Sequence, residues 1–209
     1  MSSRSGFPIG EALWHKNGVM TLTNRGPSRR ELNGSSLQEL ALFYVGKYAT
    51  TRAKLRAYLL RKIRERGWED DRAPDLDRLI ERLAELGYVN DAAYALNKAR
   101  SLSARGYGRQ RLTQKLKLDG VDEKDRGAAD AHANEESVAA ALRFAERRRL
   151  GPFARAAPDR REREKWIAAL VRAGHGFGLA RAIAELSPGA SFDAEALYEH
   201  VDFRETNMD

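Results

Sequence analysis

The sequence predicts an all-α protein made of three tandem three-helix repeats stacked into an elongated, curved helical array. Three observations lead there. From Leu37 onward apolar residues recur at three- and four-residue spacing, the signature of helices with one buried face. Capping and breaking residues separate these segments at short intervals. A Gly-aromatic-Gly turn also occurs twice, at Gly106-Tyr107-Gly108 and Gly176-Phe177-Gly178, 70 residues apart and each at the start of a helix.

Residues 1–36 carry Gly6, Pro8, Gly10, Gly18, Gly26, Pro27 and Gly34 with little periodicity, and read as a flexible arm with one short strand or turn near Val19, Met20 and Leu22. Repeat one is assigned to 37–88. Its first helix, about Leu37–Lys47, places Leu37, Leu40, Ala41, Tyr44 and Val45 on one face. Thr50 or Thr51 supplies a hydroxyl cap for the second helix, which turns Leu55, Leu59, Leu60 and Ile63 inward and ends at Gly67. Pro74 is expected in the first turn of the third helix, where its missing N–H costs least. That helix has an apolar stripe of Leu76, Leu79, Ile80, Leu83 and Leu86 and closes at Gly87.

Repeat two is assigned to 89–150. Asn90 or Asp91 caps a helix holding Ala92, Ala95, Leu96, Ala99 and Leu102, and the next helix, Arg109–Leu118, uses Leu112 and Leu116 and stops at Gly120. From Asp122 to about Leu150 the pattern is longer and less tidy, with Gly127 and Asn134 as points where it can bend. Repeat three, 151–209, starts its periodic part near Arg163. It continues through Trp166, Ile167, Leu170 and Val171 to the second glycine turn, then a helix from Leu179 to Leu186 and a last one from Phe192 to about Val201. Tyr48-Ala49-Thr50-Thr51 holds the corresponding place in repeat one. Aligned on the three turns, Leu55, Leu112 and Ala182 coincide, as do Leu59, Leu116 and Leu186. The aromatic residue between two glycines is expected to tuck under the neighbouring helix as an anchor.

The net charge of +7 is unevenly spread: +3 over residues 1–36, +7 over 37–120, +1 over 121–165 and −4 over 166–209. A basic middle and an acidic end suggest that one part of the molecule meets a polyanionic partner. The candidate contacts are outward-facing cations of the central helices: Arg52 and Arg56 in repeat one, and Arg109, Arg111, Lys115 and Lys117 in the corresponding helix of repeat two. Arg100 and Arg105 lead into the Gly-Tyr-Gly turn. Guanidinium groups pair with carboxylates or phosphates through two parallel hydrogen bonds, so an acidic protein groove and DNA both fit. The competing reading is a solvated face paired to neighbouring carboxylates.

No enzyme site can be assembled from the sequence. With no cysteine there is no disulfide, thiolate site or cysteine nucleophile. His15, His132, His175 and His200 show no metal-ligand spacing, and His175, in a glycine-rich turn, is expected to be solvent-exposed or locally hydrogen-bonded. The glycines at 174, 176 and 178 lack the third glycine and the preceding strand of a dinucleotide loop. No apolar run approaches a membrane span, which leads to the expectation of a cytoplasmic protein. The missing site chemistry leads to the expectation of no cofactor, and the modular helical size to that of a monomer.

Several segments resemble the RecX family of recombination regulators. They are Tyr48 to Leu60; the run Asp77-Arg78-Leu79-Ile80-Glu81-Arg82-Leu83-Ala84-Glu85-Leu86-Gly87-Tyr88-Val89-Asn90-Asp91; Arg105-Gly106-Tyr107-Gly108-Arg109-Gln110-Arg111-Leu112; and Leu170 to Phe177. The resemblance covers about 37–187 and rests on the order and spacing of these motifs. Lys54 departs from it, standing where an acidic residue is frequent, as does the irregular stretch 122–162. The resemblance implies a protein that lies in the groove of a RecA filament on single-stranded DNA and obstructs ATP turnover, strand exchange and repressor cleavage. A direct DNA-binding helical module is the alternative, which tight, sequence-selective DNA binding without RecA would mark, whereas weak, steeply salt-dependent binding would mark nonspecific phosphate contact beside the filament reading.

Overall fold

The computed structural model describes residues 31–201. Nine α-helices occupy the described residues: α1 (Gly34–Lys47), α2 (Arg52–Arg66), α3 (Leu76–Glu85), α4 (Asp91–Ala104), α5 (Arg109–Leu118), α6 (Gly127–Glu135), α7 (Ser137–Arg148), α8 (Arg160–Arg172) and α9 (Phe177–Glu185). Short 3-10 turns lie at Glu123–Asp125, Gly151–Phe153 and Ala196–His200, and no strand is present among these residues. The expected all-α class is observed.

Local chemistry fixes the helix starts. Asn33 and Ser36 form a reciprocal capping box at α1. Thr51, Asn90 and Asp159 each accept the N–H three residues on, and so settle the cap positions of α2, α4 and α8. Residues 31–36, read from sequence as part of the arm, already belong to the fold. Leu32 is fully buried and exchanges backbone hydrogen bonds with Gly67 and Glu69, because repeat one needs it to close its core. The remainder of the arm, including Val19, Met20 and Leu22, lies outside the described residues.

Two element expectations are corrected. Pro74 precedes α3: the Asp75 carboxylate accepts the Arg78 N–H at 3.0 Å and sets the helix start after the proline. The helix expected from Phe192 to Val201 is a 3-10 turn at Ala196–His200, where only Leu197 is buried, so too little apolar surface is covered to carry full α-turns. The irregular stretch after Asp122 does break, at Glu136 between α6 and α7.

Three apolar clusters form the interior. The first joins Leu32, Leu37, Ala41, Leu55, Leu59, Leu76, Ile80, Leu83 and Val89 from α1–α3. The second joins Tyr94, Ala95, Ala99, Leu112, Leu116, Val121, Ala129 and Ala133 from α4–α6. The third gathers Val138, Ala141, Phe144 and Ala145 of α7 with Trp166, Leu170, Leu179 and Ile183 of α8 and α9. The apolar face of α7 thus packs with the helices that follow it.

Candidate partner-binding surface

The site is built at the joints between clusters. Where α2 meets α4 and α5, the Thr51 hydroxyl donates to the Asp119 carbonyl at 2.6 Å and the Arg52 N–H donates to the Asp91 carboxylate at 3.0 Å. Beside them Lys54 donates to the Tyr94 hydroxyl at 3.1 Å, Tyr94 donates to Asp119 at 2.7 Å, and Lys115 donates to the other Asp119 oxygen at 2.7 Å. Burial raises the cost of the Asp119 charge, but the hydrogen bonds from Lys115 and Tyr94 and the Lys54 charge outweigh it and hold the carboxyl below its ordinary range. Burial pushes the Asp91 carboxyl up, against the opposing pull of Arg52. Lys54 is thereby accounted for: it bridges two clusters through a buried tyrosine and carboxylate.

The second joint is where the two glycine turns meet. Gly108 N–H donates to the Ala173 carbonyl at 3.0 Å and Gln110 N–H to the Gly174 carbonyl at 3.1 Å. A Cβ on Gly108 would stand 2.2 Å from the Gly174 oxygen, and one on Gly174, at φ +96°, 2.5 Å from the Arg111 nitrogen. The repeated glycines therefore let two backbones touch. His175 is 3% exposed, a correction to the solvent-exposed expectation, and its Nε2–H donates 3.1 Å to the Gly106 carbonyl across the joint. Burial, partly countered by that hydrogen bond, lowers its pKa to about 4, so the ring is neutral near pH 7. The aromatic-anchor expectation divides. Tyr107 is half-buried against the third cluster, whereas Phe177 is 59% exposed, because His175 fills the interior position beside Phe144.

On the outer side of this joint Tyr107 is clasped by two cations, with the Arg105 guanidinium 5.4 Å and the Arg111 guanidinium 4.9 Å from its ring centre. Arg147 donates to the Arg105 carbonyl at 2.7 Å, and Arg147 and Arg148 lie 5.6 and 5.9 Å from the Phe144 ring. Sequence reasoning missed these two arginines, although the run Arg147-Arg148-Arg149 at a helix end was a visible signal. Arg105, Arg111, Arg147 and Arg148 are all exposed and have no carboxylate partner among the described residues. The same holds for Arg100, just over a turn before Arg105, and for Lys117.

The other four sequence candidates each have a carboxylate neighbour within the chain. Arg52 lies 3.5 Å from Glu81 and 4.0 Å from Asp91, Arg56 3.2 Å from Asp77, Arg109 3.8 Å from Asp130 and Lys115 2.7 Å from Asp119. The eight therefore divide by chemistry: Arg52, Arg56, Arg109 and Lys115 each have a carboxylate within 4.0 Å, and Arg100, Arg105, Arg111 and Lys117 face outward without one. Beneath the joint a cleft of about 280 Å³ is lined by Arg109, Lys117, Asn134, Ser137, His175 and Val201, among others. Among the described residues no group of three or more His, Cys, Asp or Glu side chains is placed to hold a metal ion.

Residues 90–129 match the family model described as RecX, second three-helix domain, which coincides with α4, α5 and the start of α6. Over 174 residues the chain is 38% identical to the regulatory protein RecX of Myxococcus xanthus, covering 78% of this chain and 92% of that one. This chain belongs to the RecX family. The regulatory protein RecX of Agrobacterium fabrum is 32% identical over 141 residues, covering 66% of this chain and 75% of the relative. The crystal structure of RecX from Lactobacillus salivarius superposes with a TM-score of 0.52 at 21% identity, covering 71% of this chain and 92% of the other, a likeness of fold. A second RecX crystal structure gives 0.51 at 19% identity over 72% of each chain. In this RecX-family chain the Arg-Gly-Tyr-Gly turn sits at a joint between helical clusters, with its cations outside. No helix among the described residues of this RecX-family chain is long and apolar enough to cross a membrane.

Proposed function

We propose that this chain is a non-enzymatic, monomeric, cytoplasmic regulator that binds RecA filaments on single-stranded DNA and restrains ATP turnover, strand exchange and repressor cleavage. No cofactor takes part. The observation that carries the reading is the carboxylate-free cation group around Tyr107, held on a joint whose two backbones are in direct contact. An outward-facing basic group on a joint of this kind suits an acidic groove between protomers, where each guanidinium gains a bidentate partner. Family membership supplies the regulatory role, and helical modules in series allow one molecule to reach neighbouring subunits.

The test is the ATPase of a preformed RecA filament as the purified chain is added at substoichiometric amounts. Inhibition, with filament shortening seen by electron microscopy, is the expected result. An unaltered ATPase and filament length under conditions where filaments are stable contradict the proposal.

A further inference from the structure

We propose that repeat one carries a stacking surface for single-stranded nucleic acid, formed by Phe43, Lys47 and Tyr48 and backed by Tyr44 and Tyr58. The surface deepens the filament reading, on which it rests for the source of the strand.

The fold leaves these rings unexplained. Helix α1 buries Leu37 and Ala41, yet Phe43 is 66% and Tyr48 49% exposed. Between them stands Lys47, its ammonium 6.0 Å from the Phe43 ring centre and 5.5 Å from that of Tyr48, with no carboxylate partner among the described residues. The strip continues inward: Tyr48 lies 5.3 Å from Tyr44, which stacks on Tyr58 at 4.0 Å and 17°, while Arg61, 5.6 Å from the Tyr58 ring, is paired with Glu65 at 3.6 Å and closes the strip at that end. The two half-buried tyrosines fix the tilt of the exposed one.

Open aromatic faces interleaved with an unpaired ammonium match the needs of an unpaired strand, whose bases offer π-faces at the same spacing as its phosphates. A duplex hides those faces within its stack. An acidic peptide would satisfy Lys47 but leave both rings in water, and an apolar protein face would cover the rings while stranding the ammonium. A single strand answers all three groups together.

The experiment is fluorescence anisotropy of a labelled oligo(dT) with the full chain, without RecA. The parent is expected to bind, and Phe43→Ala/Tyr48→Ala to bind about tenfold or more weakly, given that base stacking on one aromatic is worth roughly 1–3 kcal/mol. Since both side chains are exposed, the helical circular dichroism spectrum should be unchanged. Lys47→Ala should reduce the slope of log K against log salt by about 0.7, the value for one single-strand phosphate contact. Phe43→Trp should keep the affinity, and its added emission should be quenched as the strand saturates. No binding by the parent, undiminished affinity of the double alanine variant, or an unquenched tryptophan at saturation overturns the proposal. So does a double variant that binds oligo(dT) normally but no longer slows the filament ATPase, because the strip would then contact protein. If instead the parent leaves RecA untouched while oligo(dT) binding still depends on the strip, the filament reading fails and this surface stands.

Discussion

At the scale of single residues, the joint between the glycine turns makes the sharpest demands. Gly108→Ala places a methyl group against the Gly174 carbonyl, where backbone, not a flexible side chain, must give way. Its expected cost is about 3 kcal/mol, read from the urea midpoint at unchanged m-value. His175 ties the same joint to pH. Its folded pKa of about 4 lies below the ordinary 6.5, so the unfolded chain takes up the proton first. Stability is full above pH 6.5 and falls as pH drops toward 4, by at most about 3 kcal/mol. Asp119, held low, loses its contribution only in more acid solution, and Asp91, pushed up by burial, works in the opposite sense. The slope between pH 6.5 and 4 that disappears in His175→Gln therefore belongs to the histidine; an identical slope in parent and variant contradicts the assignment. Tyr94→Phe removes the hydroxyl between Lys54 and Asp119 and should cost about 1–2 kcal/mol by the same measurement.

At the scale of elements, most of the fold was legible in the sequence because helix periodicity and caps act over a few residues. Leu37 through Lys47 and Arg109 through Leu118 follow directly from that local grammar, and the caps at Thr51 and Asn90 are each one of the two neighbouring residues it offered. What periodicity could not show was decided between elements. The turn at Ala196–His200 lacks a partner surface broad enough for a helix, and Phe177 yielded the interior to a histidine that finds its acceptor 69 residues away. The candidate site was half legible for the same reason. A positive charge can be read from the chain, but whether a carboxylate answers it depends on packing: Asp77 and Glu81 reach Arg56 and Arg52 from α3, and Asp119 reaches Lys115 one turn on. Arg52→Glu would set three carboxylates against one another at the first joint, so it should lower stability. Arg56→Glu, on an exposed pair, should change it by no more than about 1 kcal/mol.

At the scale of the whole molecule, the basic middle of the sequence separates into a carboxylate-paired and an outward-facing set of cations, and the regulatory reading depends on the second. The measurement that tests this most directly is inhibition of the RecA filament ATPase by the parent, by Arg105→Glu/Arg111→Glu and by Arg56→Glu, each verified as folded. The parent and Arg56→Glu are expected to inhibit alike, with the double variant needing at least about tenfold more protein, since each lost charge-assisted contact is worth roughly 1.5–3 kcal/mol. Equal inhibition by all three proteins would show that the cations around Tyr107 do not make the contact.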